Sequence, residues 1–262
     1  MEKDILQTII AHKQTEITAQ KEIISLKQLA SQLDVPSEGI SMKAALSASP
    51  YGIIAEFKKR SPSKGWIKKD ADARVIPASY EENGASALSI LTDETFFGGT
   101  LKDIRAARPH VTLPILRKDF VISEYQLYQA KLVGADAILL IAAALTPQQC
   151  ITLARSAHEL KLEVLLEIHG EPELSHINEY IDMVGVNNRN LGTFHTDVEN
   201  SFRLAEKLPK DFLLVSESGI SQPETVKNLR KSGFKGFLMG EAFMKTPQPG
   251  MALSHFINEL KA

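Results

Sequence analysis

Ile53-Ile54-Ala55-Glu56-Phe57-Lys58-Lys59-Arg60-Ser61-Pro62-Ser63-Lys64-Gly65 is the stretch on which the reading of this chain turns. It opens as an apolar run suited to a buried strand, then sets Glu56 and Lys58 two residues apart, which on an extended chain places both on one face. Burying either charge alone is strongly unfavourable, so the two must pair with each other or with a charged visitor. Ser61 to Gly65 then makes a polar, turn-forming loop. By themselves Glu56 and Lys58 also fit a strand end that reaches solvent; what separates the two readings is whether the pattern recurs.

It does recur. From residue 53 to the C-terminus, short apolar runs alternate with helical patterns. Strands are expected at 53–58, 87–91, 113–116, 137–141, 163–168, 183–186, 212–215 and 236–239. Helices are expected near 75–83, 101–108, 124–133, from 147 onward, and near 171–178, 197–207, 223–231 and 253–260. Ser123 and Thr146 serve as N-caps, Gly84 and Gly134 close their helices, and Pro109 stops another. Eight strand-then-helix units with nearly continuous apolar strands predict a parallel sheet covered by helices on its outer side. A closed (β/α)8 barrel, the TIM barrel, satisfies that requirement. An open doubly wound sheet is the alternative, but no Gly-x-Gly-x-x-Gly turn follows the first strand.

Ahead of the barrel, Ile5, Ile9, Ile10, Ile17, Ile24 and Leu33 recur at helical spacing among Lys, Glu and Gln. They predict one or two amphipathic helices ending before Val35-Pro36. Residues 1–50 are thus read as a helical extension packed on a barrel, and 1–262 as a single domain.

With 262 residues, 44% hydrophobic and 24% charged, the composition is that of an ordinary globular protein. A formal net charge of -2 offers no general attraction to nucleic acid or anionic membranes. The basic cluster Lys58, Lys59, Arg60, Lys64, Lys68 and Lys69 is confined to one loop, so a non-catalytic nucleic-acid binder is the weaker reading. One cysteine, Cys150, excludes an intrachain disulfide and a multi-cysteine metal site, and the seven histidines show no His-x-x-x-His spacing, so no metal site is expected. The longest fully apolar run, 137–145, falls far below the roughly 20 residues of a membrane span. The expectation is a cytoplasmic protein without membrane or nucleic-acid partners; the oligomeric state stays open, a monomer being compatible.

In such a barrel, chemistry sits at the C-terminal strand ends. Strand one ends with Glu56 and Lys58, strand three runs into Arg117-Lys118-Asp119, strand five carries Glu167, strand six ends Asn187-Asn188-Arg189, and strand seven ends Glu217-Ser218-Gly219. Polar groups from five strands converge on one rim, with no Ser-His-Asp or Cys-His set among them. Lysine and carboxylate offer proton transfer: a protonated lysine as general acid, a facing glutamate as general base. Glycines after strands seven and eight, in Glu217-Ser218-Gly219-Ile220-Ser221 and Met239-Gly240-Glu241, can turn backbone N–H groups toward an anion. A small phosphate ester is the expected substrate.

These residues resemble the indole-3-glycerol-phosphate synthase family. The resemblance is carried by Ile54-Ala55-Glu56-Phe57-Lys58 with Ser61-Pro62-Ser63-Lys64-Gly65, Ser89-Ile90-Leu91-Thr92-Asp93 with Phe96-Phe97-Gly98-Gly99, and Pro114-Ile115-Leu116-Arg117-Lys118-Asp119-Phe120. It continues through Leu166-Glu167-Ile168-His169, Gly185-Val186-Asn187-Asn188-Arg189-Asn190-Leu191 and Ser216-Glu217-Ser218-Gly219-Ile220, and includes the leader from Ile5-Leu6 through Lys13 and Glu16.

The resemblance implies conversion of 1-(2-carboxyphenylamino)-1-deoxyribulose 5-phosphate to indole-3-glycerol phosphate, with loss of carbon dioxide and water and no cofactor. It implies that Lys118 protonates the keto oxygen during ring closure and that Glu167 is the base in the dehydration, with Lys58 or Lys118 as the acid there. Glu56, Asn187 and Glu217 match the supporting polar residues. Arg189 and Lys58 are candidates for the substrate carboxylate, and Phe97, Phe120 and Leu139 for the walls of the aromatic ring. Ser61, Ser218, Gly219, Gly240 and Glu241 match positions around the phosphate, Glu241 through its backbone N–H. Among enzymes the alternative is a neighbouring phosphate-binding barrel such as phosphoribosylanthranilate isomerase, whose Cys and Asp pair has no counterpart here.

Overall fold

The computed structural model describes residues 5–33, 38–190, 192 and 194–262. The expected helix end at Val35-Pro36 and Leu191 of the sixth-strand motif lie outside the described residues.

Eight parallel strands follow the chain: β1 (Ile53–Phe57), β2 (Ala87–Leu91), β3 (Ile115–Lys118), β4 (Ala137–Ile141), β5 (Glu163–Ile168), β6 (Met183–Asn187), β7 (Leu213–Glu217) and β8 (Phe234–Met239). Each pairs with the next, and β8 pairs with β1 to close the barrel. Ile54 shows the closure directly, lying opposite Ala87 on one side and Leu238 on the other. No barrel strand is left with an unpaired edge.

Side chains alternate between two apolar layers. Ile54, Leu116, Leu139, Leu165, Met183 and Val215 pack inside the barrel, while Ile53, Phe57, Leu88, Ile138, Leu166 and Phe237 pack outward beneath the helices. Burial on both faces is why the strands read as continuous apolar runs.

The helix signals hold where capping chemistry is strong. Ser123 and Thr146 both form capping boxes, and Gly134 ends its helix in the left-handed conformation at φ 89°. Strands seven and eight run over Leu213–Glu217 and Phe234–Met239, two residues beyond their expected end and start respectively, and three further differences have a local cause. β3 begins two residues later, because Pro114 has no N–H for the ladder, and it runs on through the charged Arg117 and Lys118. Pro109 does not stop its helix outright: the chain continues from Ala107 into the 3-10 turn Arg108–His110, where the missing N–H is tolerated. The expected helix near 171–178 is a 3-10 turn, Glu171–His176, with Pro172 in its first turn and the His176 ring turned inward to Leu145 O at 2.9 Å.

Among the described residues three helices precede the barrel: α1 (Ile5–Ile23), α2 (Leu26–Ala30) and α3 (Met42–Ala48). The last was not anticipated. It seals the N-terminal end of the barrel: Met42 and Leu46 are fully buried in the inner apolar layer. Glu163, the first residue of β5, accepts from Lys43 N at 2.9 Å, and Asp136, just before β4, accepts from Ile40 N at 2.8 Å. At the opposite end α1 covers the mouth, burying Leu6 and Ile9 against the same inner layer.

Candidate active site

The inward-facing alternation is apolar deep in the barrel and turns polar at the C-terminal rim. Ile54 is followed by Glu56 and Lys58 on and after β1, Leu116 by Lys118 on β3, Leu165 by Glu167 on β5, Gly185 by Asn187 on β6, and Val215 by Glu217 on β7. Period two puts each of these on the barrel axis side. Lys118 Nζ donates to Glu167 Oε2 at 3.1 Å and lies 3.4 Å from Glu217 Oε2, while Lys58 Nζ pairs with Glu56 Oε1 at 2.5 Å. Two glycines make room for the carboxylates: a Cβ on Gly185 would strike Glu217 Oε1, and one on Gly240 would strike Glu56 Oε1.

Enclosure makes these charges interdependent. Burial alone would strip the proton from Lys118, but Glu167, Glu217 and Glu56 overcome it and hold the ammonium protonated above the ordinary lysine range. Burial opposes ionisation of Glu56 and Glu167 as well; Lys58 and Lys118 reverse that for Glu56, and Lys118, His169 and Asn187 for Glu167, so both carboxyls titrate below their usual range. Glu217 goes the other way. Its burial, together with the Glu167 and Glu56 charges, outweighs Lys118 and pushes its pKa up to about 8.

The ring opens into a cavity of about 320 Å³. Every residue assigned from the sequence to catalysis or substrate binding lines it, whereas Arg117 and Asn188 of the same strand ends do not. The carboxylates and lysines, with Asn187, form its floor, and Leu139, Phe97 and Phe120 form an apolar wall. The two phenylalanine rings lie 6.0 Å apart, centroid to centroid. Ser61 comes from a small hairpin, Arg60–Ser61 paired with Gly65–Trp66, that folds over the rim after β1. Ser218 and Gly219 line the cavity after β7 in left-handed conformations, at φ 65° and 76°. Gly240 and Glu241 line it at the start of the short helix Glu241–Met244. Arg189 reaches between these loops, 3.7 Å from Glu241 Oε2 and donating to Ser63 Oγ at 3.3 Å. Ser61 Oγ is buried without a hydrogen-bond partner from the protein, and both Glu217 oxygens lack one beyond the Lys118 ion pair. Ser61 and Glu217 both line the cavity, where a bound ligand or water can supply the missing bonds.

Two features of the site escaped the sequence. Ile5, Leu6 and Ile9 of α1 line the cavity, making the helix part of its wall; helical spacing shows that they face inward but not against what. His169 stands beside Glu167, Nε2 to Oε1 3.4 Å. Its signal was available, since it continues the inward series Leu165, Glu167 by one more step of two.

Lys13 of α1 is likewise more than a surface lysine. It is 1% exposed and lies 3.0 Å from Asp93 Oδ2 and 3.1 Å from Asp119 Oδ1. Asp119 Oδ2 also accepts from Thr92 Oγ1 at 2.6 Å and from Arg117 Nη2 at 2.8 Å. The helix is thereby tied to the loops after β2 and β3, the second of which follows directly on Lys118.

Comparison with known proteins agrees with this geometry. A family model described as "Indole-3-glycerol phosphate synthase" matches residues 6–256. A protein of that name from Bacteroides thetaiotaomicron is 64% identical over 99% of this chain and 100% of its own length. Another from Polaromonas naphthalenivorans is 43% identical over 98% of this chain and 99% of its own. Among solved structures, a tryptophan synthase alpha-subunit from Legionella pneumophila superposes with a TM-score of 0.62 at 15% identity, covering 84% of this chain and 98% of that one. A mutant alpha-subunit from Pyrococcus furiosus gives 0.61 at 16%, covering 80% and 97%. These last two speak to the barrel fold alone.

Proposed function

The chain belongs to the indole-3-glycerol phosphate synthase family, and we propose a division of labour among the residues of its cavity. The activity is that of a carboxy-lyase, converting 1-(2-carboxyphenylamino)-1-deoxyribulose 5-phosphate to indole-3-glycerol phosphate with loss of carbon dioxide and water. The observation that carries the assignment of roles is the placement of Lys118 within ion-pair distance of both Glu167 and Glu217 at the bottom of a partly apolar cavity.

In ring closure, Lys118 donates its proton to the ribulose keto oxygen as the aryl carbon attacks the carbonyl carbon. Glu167 and Glu56, both ionised at neutral pH, keep Lys118 in its proton-bearing form. Departure of the carboxyl group as carbon dioxide then restores the ring electrons. The dehydration needs an acid and a base on different sides of the substrate. Glu167 on β5 and Lys58 after β1 stand four strands apart around an eight-stranded ring, facing each other across the axis. Glu167 takes the proton and Lys58 protonates the leaving hydroxyl. Lys118 is less suited to that second donation, because it is already engaged with the base itself.

Glu56 aligns Lys58, Asn187 and Glu217 hold hydroxyl and amine groups, and Phe97, Phe120 and Leu139 flank the anthranilate ring. Arg189 and Lys58 bring positive charge to the substrate carboxylate. Ser61, Ser218, Gly219, Gly240 and the Glu241 backbone N–H receive the phosphate; the Glu241 carboxylate is turned to Arg189 and so is drawn away from that dianion.

Indole formation from the anthranilate-linked ribulose phosphate, followed by fluorescence, tests these roles. Lys118→Ala and Glu167→Gln are each expected to lower kcat by at least about 100-fold, the typical loss of a general acid or base. Near-normal rates in both variants would overturn the assignment.

A further inference from the structure

We propose that His169 is a positioning residue for Glu167: clasped between Glu173 and Glu167, it fixes one carboxylate oxygen of the base while Lys118 holds the other. This rests on the assignment of Glu167 as the base. His169 Nε2 lies 3.4 Å from Glu167 Oε1, whereas Lys118 Nζ meets Oε2 at 3.1 Å, so the two cations address different oxygens of one carboxylate. On its far side, His169 Nδ1 lies 3.5 Å from Glu173 Oε2; both ring contacts are ion-pair contacts, neither nitrogen making a hydrogen bond.

The backbone of His169 is pinned as well. Its N–H donates to Glu173 Oε2 at 2.6 Å, and its carbonyl accepts from Asn200 Nδ2 at 3.0 Å. Pro172 and Glu173 belong to the 3-10 turn Glu171–His176, which gives that turn a reason to interrupt the expected helix: it brings a carboxylate back over residue 169.

The ring sits apart from the cavity lining and is mostly buried, so it does not contact substrate. The groups that face it are Glu167 from β5, Glu173 from the turn and Glu217 from β7, with the neutral Asn200 from the helix Glu199–Ala205. Burial disfavours the imidazolium, but Glu173 and Glu167 prevail and raise its pKa. An imidazolium on Oε1 keeps Glu167 ionised and oriented even when substrate displaces the ammonium of Lys118 from Oε2. An outer partner of this kind fixes the orientation and charge state of the group that does the chemistry, as the outer partners of metal ligands do.

The test combines pH-dependent kinetics with titration of the His169 ring by NMR. His169→Gln is expected to leave KM within about 2-fold, to lower kcat by about 10-fold, and to move the acidic limb of the kcat profile upward by roughly one pH unit, since a cation is removed from the base. Glu173→Gln, which leaves the ring in place, is expected to move that limb the same way but less. Glu167→Gln is expected to lower the titration midpoint of His169, a readout independent of turnover. If His169→Gln does not fold, the other two variants decide. A wild-type kcat and acidic limb in His169→Gln, or in Glu173→Gln where that variant must stand in, overturns the proposal, as does a His169 midpoint indifferent to Glu167→Gln. An active Glu167→Gln enzyme would instead overturn the choice of Glu167 as base.

Discussion

Two buried ionic clusters share the segment Arg117-Lys118-Asp119 and are built to opposite ends. Beneath α1, Lys13 and Arg117 face Asp93 and Asp119, with Glu16 of α1 2.9 Å from Lys13 at the solvent edge, and each Asp oxygen is met within 3.1 Å by a cation, a hydroxyl or a backbone N–H. In the cavity, Lys58 and Lys118, with the His169 ring behind Glu167, face the buried Glu56, Glu167 and Glu217. In the first cluster every buried Asp oxygen is matched and the third carboxylate, Glu16, reaches solvent; in the second all three carboxylates are buried, and Glu217, with no partner beyond Lys118, retains a proton to about pH 8. Adjacent residues on one strand end thus serve stability on one side and proton transfer on the other. A satisfied network is inert, whereas a mismatched one keeps a proton and a base close to where a substrate arrives.

The comparison is broken most severely at Lys13. Lys13→Ala leaves Asp93 and Asp119 buried against each other with only Arg117 remaining, and is expected to cost about 3–5 kcal/mol of unfolding free energy by denaturant titration, the range for a broken buried ion pair. A loss below about 1 kcal/mol would mean that the cluster beneath α1 is not a structural one.

The pH dependence sharpens the contrast, because the two clusters have opposite signs. The Asp119 carboxyl, whose burial is outweighed by Arg117 and Lys13, titrates far below its ordinary 3.8. Its contribution to stability is present above that ordinary value and is lost as pH falls through the lower folded one. Glu217, with an ordinary 4.5 raised to about 8, does the reverse: the folded state keeps a proton that the unfolded chain has released. Its contribution is greatest below 4.5 and declines as pH rises toward 8. Unfolding measured between about pH 5 and 8 is therefore expected to show Glu217→Gln gaining on the wild type as pH rises. A constant difference over that range would show that Glu217 is ionised throughout.

The smallest effect belongs to a site in neither cluster. Ser123→Ala removes an N-cap that accepts from Tyr125 N at 3.3 Å, and is expected to cost about 1 kcal/mol of stability while leaving turnover unchanged.

Much of this was legible in the residues themselves. The strands at 87–91, 137–141 and 163–168 match the structure end to end, because each is a compact apolar run between polar or glycine-bearing segments. The cavity residues were legible for a related reason: a charge two places beyond an inward apolar residue, as in Leu116 and Lys118 or Leu165 and Glu167, has only one face to occupy. Helix α3 was not legible, since Met42 and Leu46 are a single apolar pair around Lys43, Ala44 and Ala45 and gain their burial only from the barrel end that they seal. The hairpin at Arg60–Ser61 was missed because two-residue strands leave no periodicity to read.

The sequence by itself determined the order of strands and helices, the barrel they close into, and the rim on which lysines and carboxylates gather, because local periodicity dictates which side chains share a face. Only the tertiary structure decided how those charges pair. Whether Lys118 meets Glu167 and Glu217, whether Lys13 crosses from α1 to Asp93 and Asp119, and whether His169 braces Glu167 all depend on distances between groups far apart in the chain, and electrostatic energy inside a protein is set by those distances and by burial rather than by spacing in sequence.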